Sequence, residues 1–260
     1  MSHIAAVQNA AVQLDRTPPP VEAAVAHLVA ARTMRVRVAG LPYAISTQHA
    51  FDIQDGVAAA LGARIGGWKC ALPSADKIIA APIFSHDIQS ATEPIICFAT
   101  SLDYEPEIAF TIARDLARHA TRDEVIAAIG QTRLAAELVG GRYQAPDTLT
   151  HTELLADNLF NQGLVLGDSI SLADIAAIDS LTITTAQGKT SHSLRHPAID
   201  PLAPLLWLAN AGPHRLKAGM TIITGSFIPA ARIHNDCTIE ICFGKVGKLA
   251  LTFCFKEPAA

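Results

Sequence analysis

The spacing of apolar residues changes near residue 61, and this change limits the folds open to the chain. Before it, alanine-rich segments have helical patterning. They predict helices over about residues 4–14 and 21–32, and a third that runs from Ser46 or Thr47, either of which can cap it, to about residue 61. After Gly66-Gly67 the chain becomes β-rich. The sequence therefore predicts an α+β fold, with a helical N-terminal region (residues 1–61) on a mostly β domain (residues 62–260).

Short apolar runs bounded by turn residues predict the strands of the second region. They lie at about residues 95–101, 107–113, 164–166, 181–185, 220–224, 237–243 and 249–255. The last two flank Gly244-Lys245-Val246-Gly247, which is a hairpin signal. Helical spacing interrupts the strands at about residues 123–134 and 203–210. The directions of the strands do not follow from this pattern.

Composition and charge argue against two classes of partner. Of 260 residues, 50% are hydrophobic and 17% are charged, with a mean hydropathy of +0.29, which is typical of a globular protein with a large core. The net charge of -4 predicts no nucleic-acid surface, and no apolar run is long enough to predict a membrane span. The N-terminus lacks a signal-peptide pattern and the five cysteines form no Cys-x-x-Cys pair, so we expect a cytoplasmic protein with reduced thiols. The cluster Arg32, Arg35 and Arg37 is interpreted as the solvated end of a helix.

Two glutamates, Glu105 and Glu107, lie within an apolar run of strand character. Side chains two apart on a strand point the same way, so both carboxylates share one face while Pro106, Ile108 and Phe110 share the other. Their mutual repulsion can be relieved by a bridging proton, by a basic side chain or by a hard cation. A solvated strand face is the alternative that needs no ligand.

A third carboxylate, Glu137, also lies in an apolar run. A charge there must pair or bind something, and Arg142 is the nearest candidate partner in the sequence. Three carboxylates without Cys or His in the cluster suit Mg²⁺ or Mn²⁺ better than zinc. His192 and His196 are four residues apart, but Pro197 argues against one continuous helix, so no zinc site is predicted there. No phosphate-binding glycine loop, dinucleotide fingerprint or nucleophile elbow is present.

Several short segments, spread over most of the chain, match one set of family motifs in order. They are Ala50-Phe51-Asp52-Ile53-Gln54, Gly67-Trp68-Lys69-Cys70-Ala71-Leu72, Glu105-Pro106-Glu107-Ile108-Ala109, Ala136-Glu137-Leu138-Val139-Gly140-Gly141-Arg142, Ala156-Asp157-Asn158, His196-Pro197 with Leu206-Trp207-Leu208-Ala209, and Thr224-Gly225-Ser226. In these segments the chain resembles the fumarylacetoacetate hydrolase superfamily, in its 2-keto-4-pentenoate hydratase and 4-oxalocrotonate decarboxylase branch.

This resemblance implies a mixed-sheet barrel or roll as the core of a catalytic domain. It also implies a lyase that acts on an unsaturated 2-oxo acid, most similar to a 2-keto-4-pentenoate hydratase of aromatic-compound catabolism. In that reading Glu105, Glu107 and Glu137 hold Mg²⁺ or Mn²⁺, and Lys69 shares the charge of the enolate. The implied substrate-binding residues are Arg142, Asn158, Thr224, Gly225 and Ser226. Because family members associate, and because the apolar content is high, we expect a homo-oligomer.

The chain departs from the family pattern after the lysine motif. The branch usually has a Pro-Asp-Phe-Gly-type stretch whose Asp is a candidate acid–base residue. Here the stretch is shorter, and only His86 and Asp87 lie near the expected place, so these two join Lys69 as candidate catalytic residues. Phe160 stands where small or hydroxyl residues are common. Without the resemblance, Lys69 is interpreted as a surface cation whose stem packs on Trp68. A decarboxylase, a carbon–carbon bond hydrolase and a non-catalytic family member all remain open.

Overall fold

The computed structural model describes residues 21–41, 43–74, 77–193 and 196–256. These ranges contain the α-helices α1 Val21–Met34, α2 Thr47–Ala60, α3 Arg122–Ala128, α4 His151–Ala156 and α5 Leu202–Ala211. They also contain the strands β1 Ile65–Ala71, β2 Ile79–Phe84, β3 Ile88–Ser90, β4 Ile95–Cys97, β5 Leu102–Ile112, β6 Ile129–Val139, β7 Asn161–Ile170, β8 Ser180–Thr185, β9 Gly188–Ser193, β10 Thr221–Ile223, β11 Ala231–Ile233, β12 Cys237–Phe243 and β13 Gly247–Phe255. The helix predicted at residues 4–14 lies outside the described residues. No helix in the described ranges is both long and apolar enough to cross a membrane.

Two sheets form the core of the molecule. An eight-stranded sheet has the order β2-β1-β10-β5-β6-β7-β3, and β11 also pairs with β5. The sheet is mixed, because β1 runs parallel to β10 and β3 runs parallel to β7 while the other pairs are antiparallel. The second sheet has the order β4-β13-β12-β8-β9. The prediction of an α+β fold with a mostly β, curled mixed-sheet core is confirmed.

The helical N-terminal part packs on one side of this core. Ser46 caps α2 in a capping box with His49, so the predicted start of this helix is confirmed. Buried residues of α1 and α2 form an apolar cluster with residues of β2, α4 and the turn that follows it, including Phe84, Leu155 and Leu159. A division into separate domains at residue 61 stays a prediction.

The predicted helix over residues 123–134 is wrong beyond Ala128. Thr121 and Glu124 form the capping box that starts α3, as helical spacing suggests. From Ile129 onward the chain instead pairs antiparallel with β5 along the full length of β6. Pairing with a buried neighbouring strand overrides the local helical preference here. The predicted strand at residues 95–101 is also shorter, since β4 ends at Cys97.

Arg32 contradicts the interpretation of the arginine cluster as a solvated helix end. Arg35 and Arg37 are exposed, but the Arg32 side chain is only 13% exposed and contacts Asp157. The Arg32 guanidinium lies over the ring of Phe84, on the face of α1 that packs against β2, and therefore points away from solvent.

The strand β5 has an interrupted neighbour on one side. Its residues 109–111 pair with β10 and its residues 102–104 pair with β11, while β6 runs along its other side. Pro106 lies in the gap between β10 and β11, where its missing N–H costs no ladder hydrogen bond. The gap also lets the chain after β10 approach Glu107.

Candidate metal and substrate site

Three glutamates converge on one face of the eight-stranded sheet. Glu105 and Glu107 lie two apart on β5, and Glu137 is the direct partner of Glu105 on β6. One carboxylate oxygen from each residue lies within 4.8 Å of the other two. Glu107 is 3% exposed and Glu137 is fully buried, so the alternative of a solvated strand face is wrong. The predicted shared face is therefore present, and β6 supplies the third carboxylate.

Lys69 is the cation that contacts this cluster. Its Nζ donates to Glu137 Oε1 at 2.7 Å and to the carbonyl of Leu159 at 3.1 Å. The alternative reading, a surface lysine packed on Trp68, is wrong, because the Trp68 ring stacks on His214 and the lysine side chain is 14% exposed.

Only one of the two carboxylate oxygens of Glu137 accepts hydrogen bonds from the residues that the structure describes. Besides Lys69, the side-chain amide of Asn161 donates to its Oε1 at 2.9 Å. Arg142, the partner considered from sequence, instead pairs with Asp157, so that alternative is wrong. Within the described residues the buried Oε2 of Glu137 has no hydrogen-bond partner. A buried carboxylate oxygen without a partner is unusual and is the kind of atom that a metal ion satisfies.

The electrostatics of the cluster favour a dication. Burial, and then the charge of Glu137, raise the pKa of Glu107 well above its usual range, against the opposing hydrogen bond from the Gly225 N–H. The same two causes raise the pKa of Glu105. Burial alone would lower the pKa of Lys69, but the surrounding carboxylates outweigh it and the net shift is upward. Three ionised carboxylates and one ammonium leave two negative charges, and the donors are all hard oxygens, so these residues fit Mg²⁺ or Mn²⁺.

The turn after β10 contacts this cluster directly. The backbone N–H of Gly225 donates to Glu107 Oε2 at 2.9 Å. Gly225 has φ +128°, and a Cβ there would lie 2.9 Å from Pro197 Cγ, so only glycine fits. Thr224 Oγ1 lies 3.3 Å from His196 Nε2, and the hydroxyl of Ser226 is bonded to backbone carbonyls. The substrate-binding roles of Thr224, Gly225 and Ser226 stay predictions, and the Gly225 amide already serves Glu107.

Arg142 and Asn158 hold the loop that carries the Leu159 carbonyl. The guanidinium of Arg142 donates through Nε to Asp157 Oδ1 at 2.6 Å, through Nη2 to the Asp157 carbonyl and through Nη1 to the carbonyl of Asn161. Asn158 donates to the Pro82 carbonyl at 3.3 Å, and its buried Oδ1 lacks a partner within the described ranges. The binding of substrate by Arg142 and Asn158 stays a prediction.

The loop itself is strained. Asn158, Leu159 and Phe160 have φ values of 55°, 47° and 67°, a left-handed conformation that costs energy in residues other than glycine. The conformation turns the Leu159 carbonyl toward Lys69. The supporting roles of Asp157 and Asn161 were not predicted from the sequence, although both residues lie in or next to the motif Ala156-Asp157-Asn158.

His86 and Asp87 occupy a short 3₁₀ turn, Ser85–Asp87, at the surface. Their side chains are 61% and 32% exposed and lie 3.6 Å apart, between His86 Nε2 and Asp87 Oδ1. Across the part of the chain that the structure describes, neither forms a hydrogen bond or ion pair with Lys69 or the three glutamates. Burial raises the pKa of Asp87, against the nearby charges of His86, Arg32 and Arg142. Their catalytic role stays a prediction.

Comparisons with known proteins agree with this architecture. The family profile described as fumarylacetoacetate (FAA) hydrolase C-terminal matches residues 59–253. A 2-oxo-hept-4-ene-1,7-dioate hydratase of Escherichia coli is 28% identical over 165 residues, which are 57% of this chain and 60% of that protein. The match thus spans less than two thirds of the hydratase.

Solved structures share the fold at low sequence identity. The 4-oxalocrotonate decarboxylase from Pseudomonas putida G7, complexed with magnesium and adipate, has a TM-score of 0.76 at 18% identity, over 91% of this chain and 97% of that one. The maleylpyruvate hydrolase from Sphingobium sp. SYK-6, in complex with manganese(II) and pyruvate, has a TM-score of 0.51 at 13% identity, over 73% of this chain and 71% of that one.

Proposed function

The chain belongs to the fumarylacetoacetate hydrolase family, and on that premise we propose that it is an Mg²⁺- or Mn²⁺-dependent lyase acting on an unsaturated 2-oxo acid. Hydration of the double bond is the proposed reaction, because a 2-oxo-hept-4-ene-1,7-dioate hydratase is similar to this chain in sequence at 28% identity. The single observation that carries the proposal is the convergence of three glutamates within 4.8 Å around a buried, unpartnered Glu137 oxygen, with Lys69 beside it. We propose the breakdown of aromatic compounds as its setting.

The three carboxylates hold the cation, and the neighbouring groups hold the carboxylates. A bound dication supplies a Lewis acid for the oxygens of a 2-oxo acid and stabilises negative charge on them. The Gly225 N–H fixes Glu107, and the Asn161 amide and Lys69 fix Glu137, so the ligand set is held before the cation arrives. Pre-arranged ligands of this kind lose little entropy on binding.

Lys69 has two tasks in this proposal. Its ammonium neutralises part of the carboxylate charge. Of its three donors, Glu137 and the Leu159 carbonyl take two, and the third can donate to an enolate oxygen. Its raised pKa keeps it protonated at neutral pH. The carbonyl of Leu159, in the strained loop, accepts a hydrogen bond from one N–H of Lys69 and so fixes the directions of the other two N–H groups.

Asp87 is the proposed group that moves a proton. Burial raises its pKa, which brings a carboxyl group closer to the range in which it can both take and give a proton. Its side chain is partly exposed, so exchange with water is open to it. His86 lies beside it and provides the alternative.

Turnover of a panel of 2-oxo acids tests the proposal. An unsaturated 2-oxo acid such as 2-oxopent-4-enoate would be incubated with Mg²⁺, its conjugated enol followed by ultraviolet absorbance and the products identified by nuclear magnetic resonance. We expect loss of absorbance without release of carbon dioxide, and no loss with Glu137→Gln or with chelator. Release of carbon dioxide would replace hydration by decarboxylation, and two acid fragments would indicate hydrolysis. No turnover of any unsaturated 2-oxo acid would contradict the lyase.

A further inference from the structure

The guanidinium of Arg32 is a buried cation with too few partners. It lies in the last turn of α1 with its Cζ 5.5 Å from the centre of the Phe84 ring. Among the described residues, its one side-chain hydrogen bond is from Nη2 to Asp157 Oδ1, and this bond is long at 3.4 Å. Its Nε is buried and has no partner there. Buried donors without an acceptor are uncommon and call for an explanation.

Asp157, the one carboxylate among the described residues to which Arg32 donates, already accepts hydrogen bonds from Arg142. Asp157 Oδ1 accepts from Arg142 Nε at 2.6 Å, and Asp157 Oδ2 accepts from the Arg142 backbone N–H at 2.9 Å. Two guanidinium groups therefore share one carboxylate, and Arg142 makes the closer contact. Burial, and then the charge of Arg142, lower the pKa of Arg32 to about 9, despite the opposing effects of Asp157 and Asp87. Arg32 thus keeps a buried Nε–H that no acceptor among the described residues takes.

A short segment connects Arg32 to the glutamate cluster. The segment begins at Asp157, which contacts Arg32, and ends at Asn161, whose side-chain amide contacts Glu137. Between them, the Leu159 carbonyl accepts from Lys69. Four residue steps span at most about 14 Å in extended chain, and the left-handed turn in this segment shortens that distance. This length is an upper limit on the backbone path, and the same short segment thus carries the hydrogen-bond partners of both Arg32 and Glu137.

We propose that Arg32 binds a second carboxylate of the substrate, remote from its 2-oxo acid end, and so makes the site selective for dicarboxylic over monocarboxylic 2-oxo acids. This inference rests on the proposed function. The planar guanidinium presents paired donors that match a carboxylate, whereas a lysine would offer only a point charge. The helical N-terminal part then contributes specificity to a reaction whose metal ligands lie in the β-rich part.

Binding of two matched ligands tests the role of Arg32 without turnover. 2-Oxoadipate and 2-oxohexanoate both have six carbons and the same 2-oxo acid end, and only the first carries a distal carboxylate. Their affinities for the Mg²⁺-loaded protein would be measured by calorimetry in wild type, Arg32→Met and Arg35→Met. Arg35 is the control, because it lies on the same helix end but stacks on the exposed ring of Phe98.

We expect wild type and Arg35→Met to bind 2-oxoadipate about tenfold or more tightly than 2-oxohexanoate, the scale of one charge-assisted hydrogen bond. Arg32→Met should lose this preference and keep its affinity for 2-oxohexanoate within about threefold. An unchanged preference in Arg32→Met would overturn the inference and leave the proposed function standing. If wild type binds neither ligand, the proposed function fails and the inference fails with it.

A second variant separates binding from folding. Arg32→Lys keeps the charge and should retain part of the preference for 2-oxoadipate, with a melting temperature close to that of wild type. If both Arg32 variants lose both ligands, Arg32 supports the fold and not the ligand, and the inference is overturned.

Discussion

Glu107→Gln should make the metal-free protein more stable while it weakens metal binding. Two charged carboxylate oxygens that lie within 4.8 Å of each other repel by at least about 3.5 kcal/mol at an effective dielectric constant of about 20. Glu107 has two such neighbours, and the attraction of Lys69 and uptake of a proton each relieve part of the repulsion. Glutamine keeps an oxygen for the Gly225 N–H and removes the charge. We expect a net gain of about 2 kcal/mol in the free energy of unfolding, or about 4–8 °C in melting temperature.

The pH dependence of this gain follows from the raised pKa of Glu107. The folded state holds the proton more tightly than the unfolded chain does. The contribution of Glu107 to the stability of the metal-free protein is therefore fully present below the ordinary glutamate range and is lost as pH rises through the raised folded pKa. Glu107→Gln does not titrate at this position, so its advantage over wild type should widen as pH rises.

Thermal unfolding in chelator and in Mg²⁺, at several pH values, measures both effects. In Mg²⁺ the advantage of the variant should narrow to about 0.7 kcal/mol or less, because wild type gains about 2.7 kcal/mol at a hundredfold excess over its dissociation constant, while a variant that binds at least tenfold more weakly gains at most about 1.4 kcal/mol. A variant that is less stable than wild type in chelator at every pH, or an equal response of both proteins to Mg²⁺, would refute the reasoning.

Three other substitutions test separate parts of the site. Lys69→Met should lower turnover by ~10² or more, the scale for losing one oxyanion donor. It should also lower the free energy of unfolding by about 3 kcal/mol, because buried Glu137 loses its ion-pair partner. Measurements of kcat and of melting temperature on one preparation check both effects. Burial lowers the pKa of His196 to about 4, so the stability contributed by the neutral ring is present above pH 6.5 and is lost as pH falls toward 4. In denaturant unfolding, His196→Gln should reduce this acid-induced decrease in the free energy of unfolding by about 3 kcal/mol. Gly67→Ala would place a Cβ 2.1 Å from a backbone oxygen of β10 and should prevent stable folding by circular dichroism, whereas Gly140→Ala, with 3.5 Å to its nearest neighbour, should fold normally.

Strand alternation predicted the part of the site that lies on one element. Glu105 and Glu107 share a face because side chains on any strand alternate, whatever the strand pairs with. Their meeting with Glu137 depends on the register of β5 with β6, which no local pattern encodes, and only the family resemblance indicated it.

The burial of Lys69 and Arg32 could not be predicted from their neighbours in the sequence. From its sequence neighbours Lys69 was interpreted as a surface residue, and replacing a surface residue changes the free energy of unfolding little. Lys69 is instead largely buried and forms an ion pair with Glu137. Arg32 looked like the solvated end of a helix for the same reason, until the packing of α1 on Phe84 directed it inward. In both cases the outcome depends on distant parts of the chain, which composition and periodicity do not reveal.

Titration with Mn²⁺ followed by electron paramagnetic resonance tests the central claim, that the three glutamates form a cation site. The free ion has a strong signal that decreases on binding, so the measurement counts bound ions without any assumption about the reaction. We expect one Mn²⁺ for each chain in wild type, displaced by Mg²⁺, and at least tenfold weaker binding in Glu137→Gln. Failure of wild type to bind Mn²⁺, or equal binding by wild type and Glu137→Gln, would contradict it.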